Sequence, residues 1–401
     1  MGIPKENIMM MIRHYIRKGI LLSLLSCIVF IAGYRKEVTQ ESAQDQRKET
    51  DKTQEQVLRL LIWEGHAPKQ YVEEFEKRIE AKYGRKVKLK ITFVSGSDSF
   101  YAAVRAKAVD IVMMTHHHFK DERFKYIQNK LLLPLDLENI PNFKHVIPAL
   151  QNAEHLHSDE KVYASPVSQG PYGLAYNTEL LQEEPQSWNI LWDQRFKDKY
   201  VIGANEYIYN ANITALALGY PRESISSYDA LNNSKFKEKL RQLAVNAHSF
   251  WVGVDKPDDL AGMTLATSWG DSIGPLVKRG KPWKIAEPAE GMPCWIDNYA
   301  ITWTLEDKPF LRKVAEEYIN GLLSTDYQVE HIMRTMSLTP IITNIDDLLT
   351  AKEKERLHVE TPNFFSENRM LQHTYSKRDR NGLKLLWDEA MKGIEIEKGS
   401  D

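Results

Sequence analysis

One stretch carries most of the information in this chain: Gly291-Met292-Pro293-Cys294-Trp295-Ile296-Asp297-Asn298-Tyr299-Ala300-Ile301-Thr302. Residues two apart on an extended strand point to the same side, so a strand here would give Trp295 and Asp297 a common face. An indole face attracts a cation and a carboxylate forms a charge-assisted hydrogen bond with it, so this pair is suited to an alkylammonium group. A buried tryptophan beside an aspartate at a strand end has the same spacing, because most tryptophans are largely buried.

Length and charge narrow the class of protein. At 401 residues the chain is too long for one compact core, and two lobes of about 150 residues are expected. The 53 lysines and arginines nearly balance the 55 aspartates and glutamates, so the net charge of −2 does not favour nucleic acid as a partner. The two cysteines, Cys27 and Cys294, do not indicate a disulfide framework, because Cys27 lies in the leader.

Residues 1–34 have the features of a signal peptide or membrane anchor, because cationic residues precede an apolar run. The run from Gly19 to Gly33 has about 15 residues against the about 20 of a spanning helix, which favours a signal peptide. Leu24-Leu25-Ser26-Cys27 resembles the lipobox of a bacterial lipoprotein, and cleavage after Ala32-Gly33 is a second alternative. Each alternative places the remaining chain in the periplasm, free or tethered to a membrane through the N-terminal segment or the Cys27 lipid.

The composition predicts a flexible linker over 35–56, which has scarcely any apolar residue, and folded sequence from residue 57. A buried strand at Val57 to Trp63 and an amphipathic helix at Gln70 to Tyr83 begin an alternation of strands and helices. This alternation predicts an α/β fold with a parallel sheet, whose ligands bind at the carboxyl ends of the strands. Two such ends are predicted at Trp63 to His66 and at Thr115 to His118.

Two predicted crossings divide the folded sequence into lobes. Glycine and proline interrupt strand character at 170–177, and the second crossing falls near 286–293. The predicted domains are lobe 1 over 57–167, lobe 2 over 168–290, a return to lobe 1 over 291–345, and C-terminal helices packing on the lobes over 346–401.

A series of landmarks runs through residues 57 to 345 in a distinctive order: Leu61-Ile62-Trp63-Glu64, Asp110-Ile111-Val112, Ser165-Pro166, Gly173-Leu174-Ala175-Tyr176-Asn177, Ser187-Trp188, Ala217-Leu218-Gly219-Tyr220, Trp269-Gly270, Trp295-Ile296-Asp297 and Leu338-Thr339-Pro340. Their order and spacing resemble those of the extracellular solute-binding proteins of bacterial ABC importers, specifically the spermidine/putrescine-binding branch. The resemblance implies a two-lobed periplasmic-binding-protein clamshell with a hinge and a ligand cleft between the lobes. It also implies a monomer that captures a polyamine for an inner-membrane ABC permease.

The resemblance implies where the ligand binds. Trp63, Trp269 and Trp295 match positions of cleft aromatics, and Asp297 matches an ammonium-binding carboxylate. Glu206 falls close to another acid of the family.

The chain also departs from the family pattern. His66 and His117 stand where tyrosines are expected, Thr115 replaces a serine, and Tyr209 stands near an expected glutamate. Each ammonium in a partly desolvated cleft needs an anion or several acceptors, so further carboxylates beside the cleft tryptophans are candidates. These reserve acids are Glu64 and Asp271.

The run His116-His117-His118 is the basis of a second alternative, a metal-binding clamshell, because imidazoles are common metal ligands. Consecutive strand residues alternate faces, so the three rings would not meet one ion without a bend. If one or two of them line the cleft instead, their protonation would repel a cationic ligand. This predicts weaker amine binding below about pH 6, near the ordinary histidine pKa of about 6.5.

Catalysis has little support in the sequence. We find no Gly-x-Ser-x-Gly elbow and no glycine-rich phosphate loop, and Cys294 is a lone thiol without a positioned base. We therefore expect a binding protein that is not an enzyme and needs no cofactor. The main alternative to transport is a polyamine sensor subunit that docks on a membrane signalling receptor.

Overall fold

A computed structural model describes residues 55–94, 98–119, 121–357, 369–371 and 375–395. The predicted signal peptide or anchor, the Cys27 lipidation site and nearly all of the predicted linker lie outside the described residues. In the part of the chain that the structure describes, no helix has the length and apolarity needed to cross a membrane.

Strands and helices alternate through most of the described chain. The strands are β1 (Gln56–Trp63), β2 (Val87–Val94), β3 (Ile111–Thr115), β4 (Leu132–Leu133), β5 (His157–Ser158), β6 (Lys161–Val162), β7 (Ser165–Pro171), β8 (Gly173–Asn177), β9 (Tyr200–Gly203), β10 (Ser249–Trp251), β11 (Leu265–Ser268), β12 (Trp283–Ala286), β13 (Met292–Thr302) and β14 (Arg369–Leu371). The α-helices are α1 (Lys69–Tyr83), α2 (Asp98–Arg105), α3 (Pro148–Gln151), α4 (Tyr207–Ala217), α5 (Tyr228–Leu231), α6 (Ser234–Asn246), α7 (Ile273–Lys278), α8 (Pro309–Leu322), α9 (Ala351–Leu357) and α10 (Lys377–Met391). A π-helical segment occupies Tyr327–Thr335.

The segment Glu76–Lys88 belongs to a small compact unit of its own. It contains the second half of α1 and the start of β2. Gly84 takes a φ of +62° directly after α1, a conformation that glycine adopts without strain and that ends the helix. Lys88 Nζ lies 2.6 Å from Glu76 Oε2 within the same segment.

The larger unit, Val57–Phe75 with Leu89–Asp401, contains two large sheets and the two-stranded sheet β5-β6. The first sheet has the strand order β14-β13-β3-β1-β2, and β4 and β7 also pair with β13. β1 and β3 are parallel, as the alternation of strands and helices predicts. β13 instead runs antiparallel to β3, so the sheet is mixed and not purely parallel. The chain enters β13 from the second sheet, which reverses its direction relative to β3.

The second sheet has the strand order β10-β9-β11-β8-β12. β9, β10 and β11 are parallel, so their carboxyl ends lie at one edge. Apolar residues of the sheet and of α4, α6 and α10 form one core, in which the fully buried Trp188 and Trp251 are the largest side chains. The C-terminal helix α10 is anchored here, since Trp387 Nε1 donates a hydrogen bond to the Ala204 carbonyl at 2.7 Å.

The two sheets are joined through neighbouring strands. β7 belongs to the first sheet and β8 to the second, and only Tyr172 separates them. β7 pairs antiparallel with β13, which places Gly170 opposite Trp295. The Tyr172 backbone N–H also donates to the Pro293 carbonyl at 2.7 Å. The chain crosses between the two sheets at the β7–β8 junction and again where it enters β13. These two crossings run side by side, and β13 carries the predicted site.

Candidate functional site

A cavity of about 530 Å³ lies at the carboxyl ends of strands from both sheets. All of the residues predicted to bind ligand line it: Trp63, Glu64, His66, Thr115, His117, Glu206, Tyr209, Trp269, Asp271, Trp295 and Asp297. The structure therefore brings together side chains that are far apart in the sequence. Topology explains this. The parallel strands deliver the residues at their carboxyl ends to one edge of each sheet, and β13, which runs antiparallel to β3, brings Trp295 and Asp297 of its first half to the same edge.

The first sheet supplies a strand wall, which we define as Trp295 and Asp297 of β13. Every residue of β13 is buried, because the strand has neighbours on both sides. Its register with β3 sets Asp297 opposite Thr115, whose Oγ1 donates to Asp297 Oδ1 at 2.7 Å. The indole of Trp295 lies over Gly170, where a Cβ atom would come within 2.9 Å of the ring. A glycine is therefore needed opposite this tryptophan.

The second sheet supplies a loop wall, which we define as Trp269 and Asp271 after β11. The loop is held by the buried Asp255, which accepts from the Trp269 backbone N–H at 2.7 Å and from Ser268 Oγ at 2.6 Å. Ser272 Oγ also donates to this carboxylate. Gly270 has a φ of +100°, so a residue with a side chain would be strained at this turn.

Glu206 reaches the cavity from the start of α4, at the end of β9. It occupies the N-cap position, yet its side chain accepts no capping hydrogen bond. The partial positive charge at a helix N-terminus favours an acid there.

Aromatic rings connect the two walls. The Trp269 ring centroid lies 6.4 Å from that of Trp295 at an interplanar angle of 83°, and 4.7 Å from that of Tyr209 at 89°. These are edge-to-face contacts, the geometry that aromatic pairs prefer. Trp63 makes a similar contact with Phe100, with centroids 5.4 Å apart. The cavity thus presents several indoles to a ligand.

Three carboxyl groups of the cavity, those of Asp297, Glu206 and Asp271, have raised pKa values. Burial raises the pKa of Asp297 to about 7, against the opposing hydrogen bond from Thr115, and burial raises the pKa of Glu206 to about 8. The pKa of Asp271 is raised well above its ordinary value by burial and by the negative charges of Asp255, Asp297 and Glu64. Asp297, Glu206 and Asp271 form no ion pair with any lysine or arginine of the described ranges. An organic cation would supply the missing charge.

The histidines of the cavity are neutral. Burial lowers the pKa of His66 and of His118 to about 3, and burial with neighbouring cations lowers the pKa of His117 well below its ordinary value. His66 and His118 therefore do not gain charge between pH 5 and pH 7. The predicted loss of amine binding through histidine protonation below about pH 6 is therefore wrong, and Asp297 and Glu206 are the groups that titrate near neutrality.

The histidine run does not form a metal site. His116–His118 make a 3₁₀ turn after β3, and His116 Nδ1 accepts a hydrogen bond from the Ile296 backbone N–H at 3.2 Å. Within the residues the structure covers, no group of three or more His, Cys, Asp or Glu side chains is arranged to hold a metal ion. The metal-binding alternative is not favoured.

Sequence reasoning missed one wall of the cavity, which α10 supplies. Arg380, Lys384, Trp387 and Asp388 of this helix line the cavity. The sequence analysis predicted C-terminal helices over 346–401 but assigned none of their residues to the cleft, whereas α10, Lys377–Met391, lines the cavity. The signal that was present is the spacing of three and four residues, which puts these side chains on one helical face.

Comparison with known proteins gives the family. Residues 106–368 match the family of bacterial extracellular solute-binding proteins, and the chain belongs to this family. The resemblance found in the sequence is therefore confirmed.

Solved structures agree on the fold. A protein from Listeria monocytogenes, provisionally described as a spermidine/putrescine ABC transporter, is 18% identical with a TM-score of 0.67, over 84% of this chain and 99% of that one. The spermidine/putrescine substrate-binding protein PotD from Streptococcus pneumoniae is 17% identical with a TM-score of 0.65, over 84% and 98%. The Tp0655 lipoprotein of Treponema pallidum is 16% identical with a TM-score of 0.58, over 83% and 99%. These similarities confirm the predicted two-lobed α/β clamshell.

Proposed function

We propose that this protein captures a small organic amine of the polyamine class outside the cytoplasm and delivers it to an inner-membrane ABC permease. The observation that carries the proposal is a cavity in which three carboxylates, Asp297, Glu206 and Asp271, lie among tryptophans and form no ion pair with a basic residue of the described chain. Membership of an extracellular solute-binding family supports the transport role. The descriptions of the Listeria and Streptococcus proteins support the polyamine class.

An alkylammonium group satisfies both features of the cavity. A hydrogen bond to an ionised carboxylate contributes about 1.5–3 kcal/mol, and an indole face adds about 0.5–2 kcal/mol for a partly desolvated cation. Asp297 is held in place by Thr115, so it can receive an ammonium group without a large rearrangement. The methylene chain of the ligand would pack against the tryptophan rings.

A ligand that contacts both walls would favour closure of the lobes, because the two walls come from different sheets. A ligand that contacts the strand wall and the loop wall together stabilises the closed form more than the open form. Trp269 and Trp295 meet in the described conformation, so the bound ligand would be enclosed between them. The closed form is then the state that a permease recognises.

We propose a periplasmic location, with the chain free or tethered through its N-terminal segment, and a monomeric, non-enzymatic protein. The lipoprotein among the similar structures supports a tether. Cys294 is buried in β13 and its Sγ donates to the Met292 carbonyl at 3.6 Å, which favours a structural thiol over a nucleophile.

Calorimetric titration of the full-length protein, stripped of bound solute, tests the proposal. Putrescine, cadaverine, spermidine, norspermidine and spermine are the ligands, with zinc as a counter-screen. We expect binding of at least one amine that is lost in Asp297→Asn and kept in Glu183→Gln, an exposed acid outside the cavity. Absence of heat with every amine, or binding that Asp297→Asn leaves unchanged, would contradict the proposal.

A further inference from the structure

Tyr172 is the residue at which the chain first passes from the first sheet to the second. It lies alone between β7 and β8, so its backbone dihedral angles connect the two sheets. Its backbone N–H donates to the Pro293 carbonyl of β13 at 2.7 Å, beside the second crossing. A change in the angle between the sheets has to be absorbed at such crossings, so Tyr172 belongs to the hinge of the clamshell.

The side chain of Tyr172 is fixed to the second sheet. It is fully buried, and its hydroxyl donates to Asn210 Oδ1 of α4 at 2.8 Å and forms a second hydrogen bond, also of 2.8 Å, with Thr267 Oγ1 of β11. A phenol has one hydrogen and two lone pairs, so both bonds can form together. Asn210 is held in turn, because its Nδ2 donates to the Gly203 carbonyl at 2.9 Å. The phenol therefore moves with the second sheet unless buried hydrogen bonds break.

The Tyr172 ring lies directly behind two aromatic rings of the cavity. Its centroid is 4.8 Å from that of Trp269 at an interplanar angle of 58°, and 5.1 Å from that of Tyr209 at 41°. Trp269 and Tyr209 line the cavity, whereas Tyr172 is 0% exposed and does not line it. Asp255 holds the backbone at Trp269, and Tyr172 supports the indole itself. Tyr172 can therefore act on a ligand only through its neighbours.

Resting on the proposed function, we infer that Tyr172 is a positioning residue that holds the Trp269 indole in the cavity and links it to the hinge. The ring of Tyr172 supports the indole, its hydroxyl fixes the ring, and its backbone belongs to the crossing. A ligand that packs on Trp269 therefore acts on the hinge through one side chain. Loss of the hydroxyl frees the ring, so the same ligand stabilises the closed form less.

A double-variant cycle tests the link to Trp269. The full-length protein, stripped of bound solute, is titrated calorimetrically with putrescine, cadaverine, spermidine, norspermidine and spermine, and the amine that binds most tightly is used throughout. We expect Tyr172→Phe, which keeps the ring and removes the hydroxyl, to weaken binding about fivefold. In a Trp269→Ala background the same substitution should change the dissociation constant by less than about twofold, because no indole remains to be misplaced.

Tyr200→Phe is the matched control. Tyr200 is a fully buried tyrosine of β9 whose hydroxyl donates to the Leu243 carbonyl at 2.7 Å, and it does not line the cavity. Tyr172 and Tyr200 belong to the same core, so loss of either hydroxyl should lower the melting temperature. Tyr200→Phe should nevertheless leave the affinity within about twofold of the natural value. Equal losses of affinity in the two variants would assign Tyr172 a purely structural role.

Small-angle X-ray scattering tests the link to the hinge. Saturating amine should reduce the radius of gyration of the natural protein, because the ligand favours the closed form. The reduction should be smaller in Tyr172→Phe and smallest in Tyr172→Leu, which removes the ring as well. Circular dichroism identifies a variant that has not folded, and Tyr172→Phe, which conserves most of the volume, carries the test if Tyr172→Leu does not fold.

The outcomes separate this inference from the proposed function. A loss of affinity in Tyr172→Phe that is equal in both backgrounds, or no loss in either, would overturn the inference while leaving amine capture intact. An undiminished reduction in the radius of gyration of the folded Tyr172 variants would overturn it in the same way. Failure of every amine to bind the natural protein would remove the proposed function, and the inference with it.

Discussion

The strand wall and the loop wall line the same cavity, but different interactions hold them in place. Trp295 and Asp297 lie on a central strand whose position is set by backbone hydrogen bonds on both sides. Trp269 and Asp271 lie on a turn that depends on a single buried carboxylate, Asp255. The difference indicates that one wall is pre-formed by the sheet, whereas the other depends on side chains that one substitution can release.

The largest expected effect is on the strand wall. Asp297→Asn should weaken amine binding by about 100-fold or more, because loss of a buried ionic partner leaves the ammonium group uncompensated. Glu206→Gln, at the second sheet, should weaken it less, since the Glu206 carboxylate accepts no helix-capping hydrogen bond that would orient it. Calorimetry on both variants measures the two losses. Equal losses of affinity would show that the hydrogen bond from Thr115 to Asp297 gives this acid no advantage over Glu206.

Acidification should weaken binding by about tenfold between pH 8.5 and pH 6, because at pH 6 only about one in ten Asp297 side chains is ionised when its pKa is about 7. Amine binding favours the ionised form, so it releases protons, and Glu206, with a pKa of about 8, adds to the release. Titrations in buffers of different ionisation enthalpy count these protons. A flat affinity across this range would show that neither acid binds the ligand.

The raised pKa of Asp297 also predicts how the stability of the ligand-free protein depends on pH. Asp297 has a pKa of about 7 when folded and an ordinary value of 3.8, so the folded state holds more protons between these values. Its contribution to the free energy of unfolding is therefore greatest below about pH 4 and is lost as pH rises through about 7. The melting temperature of the natural protein should fall more steeply than that of Asp297→Asn as pH rises from about 4 to about 7. Below about pH 4 the two proteins should show the same dependence on pH. A slope that Asp297→Asn leaves unchanged would assign the dependence to other groups.

Asp255→Asn should loosen the loop wall alone. Loss of charge-assisted hydrogen bonds to Ser268 and Trp269 should lower the free energy of unfolding by about 1–3 kcal/mol and weaken amine binding several-fold. Hydrogen exchange should increase around Trp269 while β13 stays protected. Increased exchange in β13 as well would show that the two walls are not independent.

The smallest expected effect on binding comes from a substitution at Gly170 of β7, the residue that lies against the Trp295 ring. Gly170→Ala places a methyl group within 2.9 Å of the Trp295 ring, so it should cost about 1–3 kcal/mol of stability and shift the indole. Trp295→Phe, with its smaller ring, should relieve the clash in the double variant. Thermal melts of the two single variants and the double variant give the coupling between them. Additive losses would mean that the tryptophan does not rest on Gly170.

Local patterns in the sequence were sufficient to predict the first strand and helix of the fold and the alternation of strands and helices that follows. The predicted strand Val57 to Trp63 is β1, Gln56–Trp63, and the predicted helix Gln70 to Tyr83 is α1, Lys69–Tyr83. Hydrophobic periodicity records which face of an element is buried, so the elements and the paired facing of Trp295 and Asp297 were accessible from residue order. The family pattern supplied the rest of the predicted residues that line the cavity.

Tertiary structure alone decided the wall that α10 supplies and the charge states of the cavity residues. Arg380 meets Asp121 only because α10 packs on the second sheet beside the first, and no local pattern records a contact across that distance in the chain. The lowered pKa of His118 and the raised pKa of Asp297 likewise follow from burial, which the whole fold creates. The sequence by itself determined the elements and the chemistry available to the site. The fold determined which charges face one another, because ionisation and pairing depend on distance and solvent and not on order along the chain.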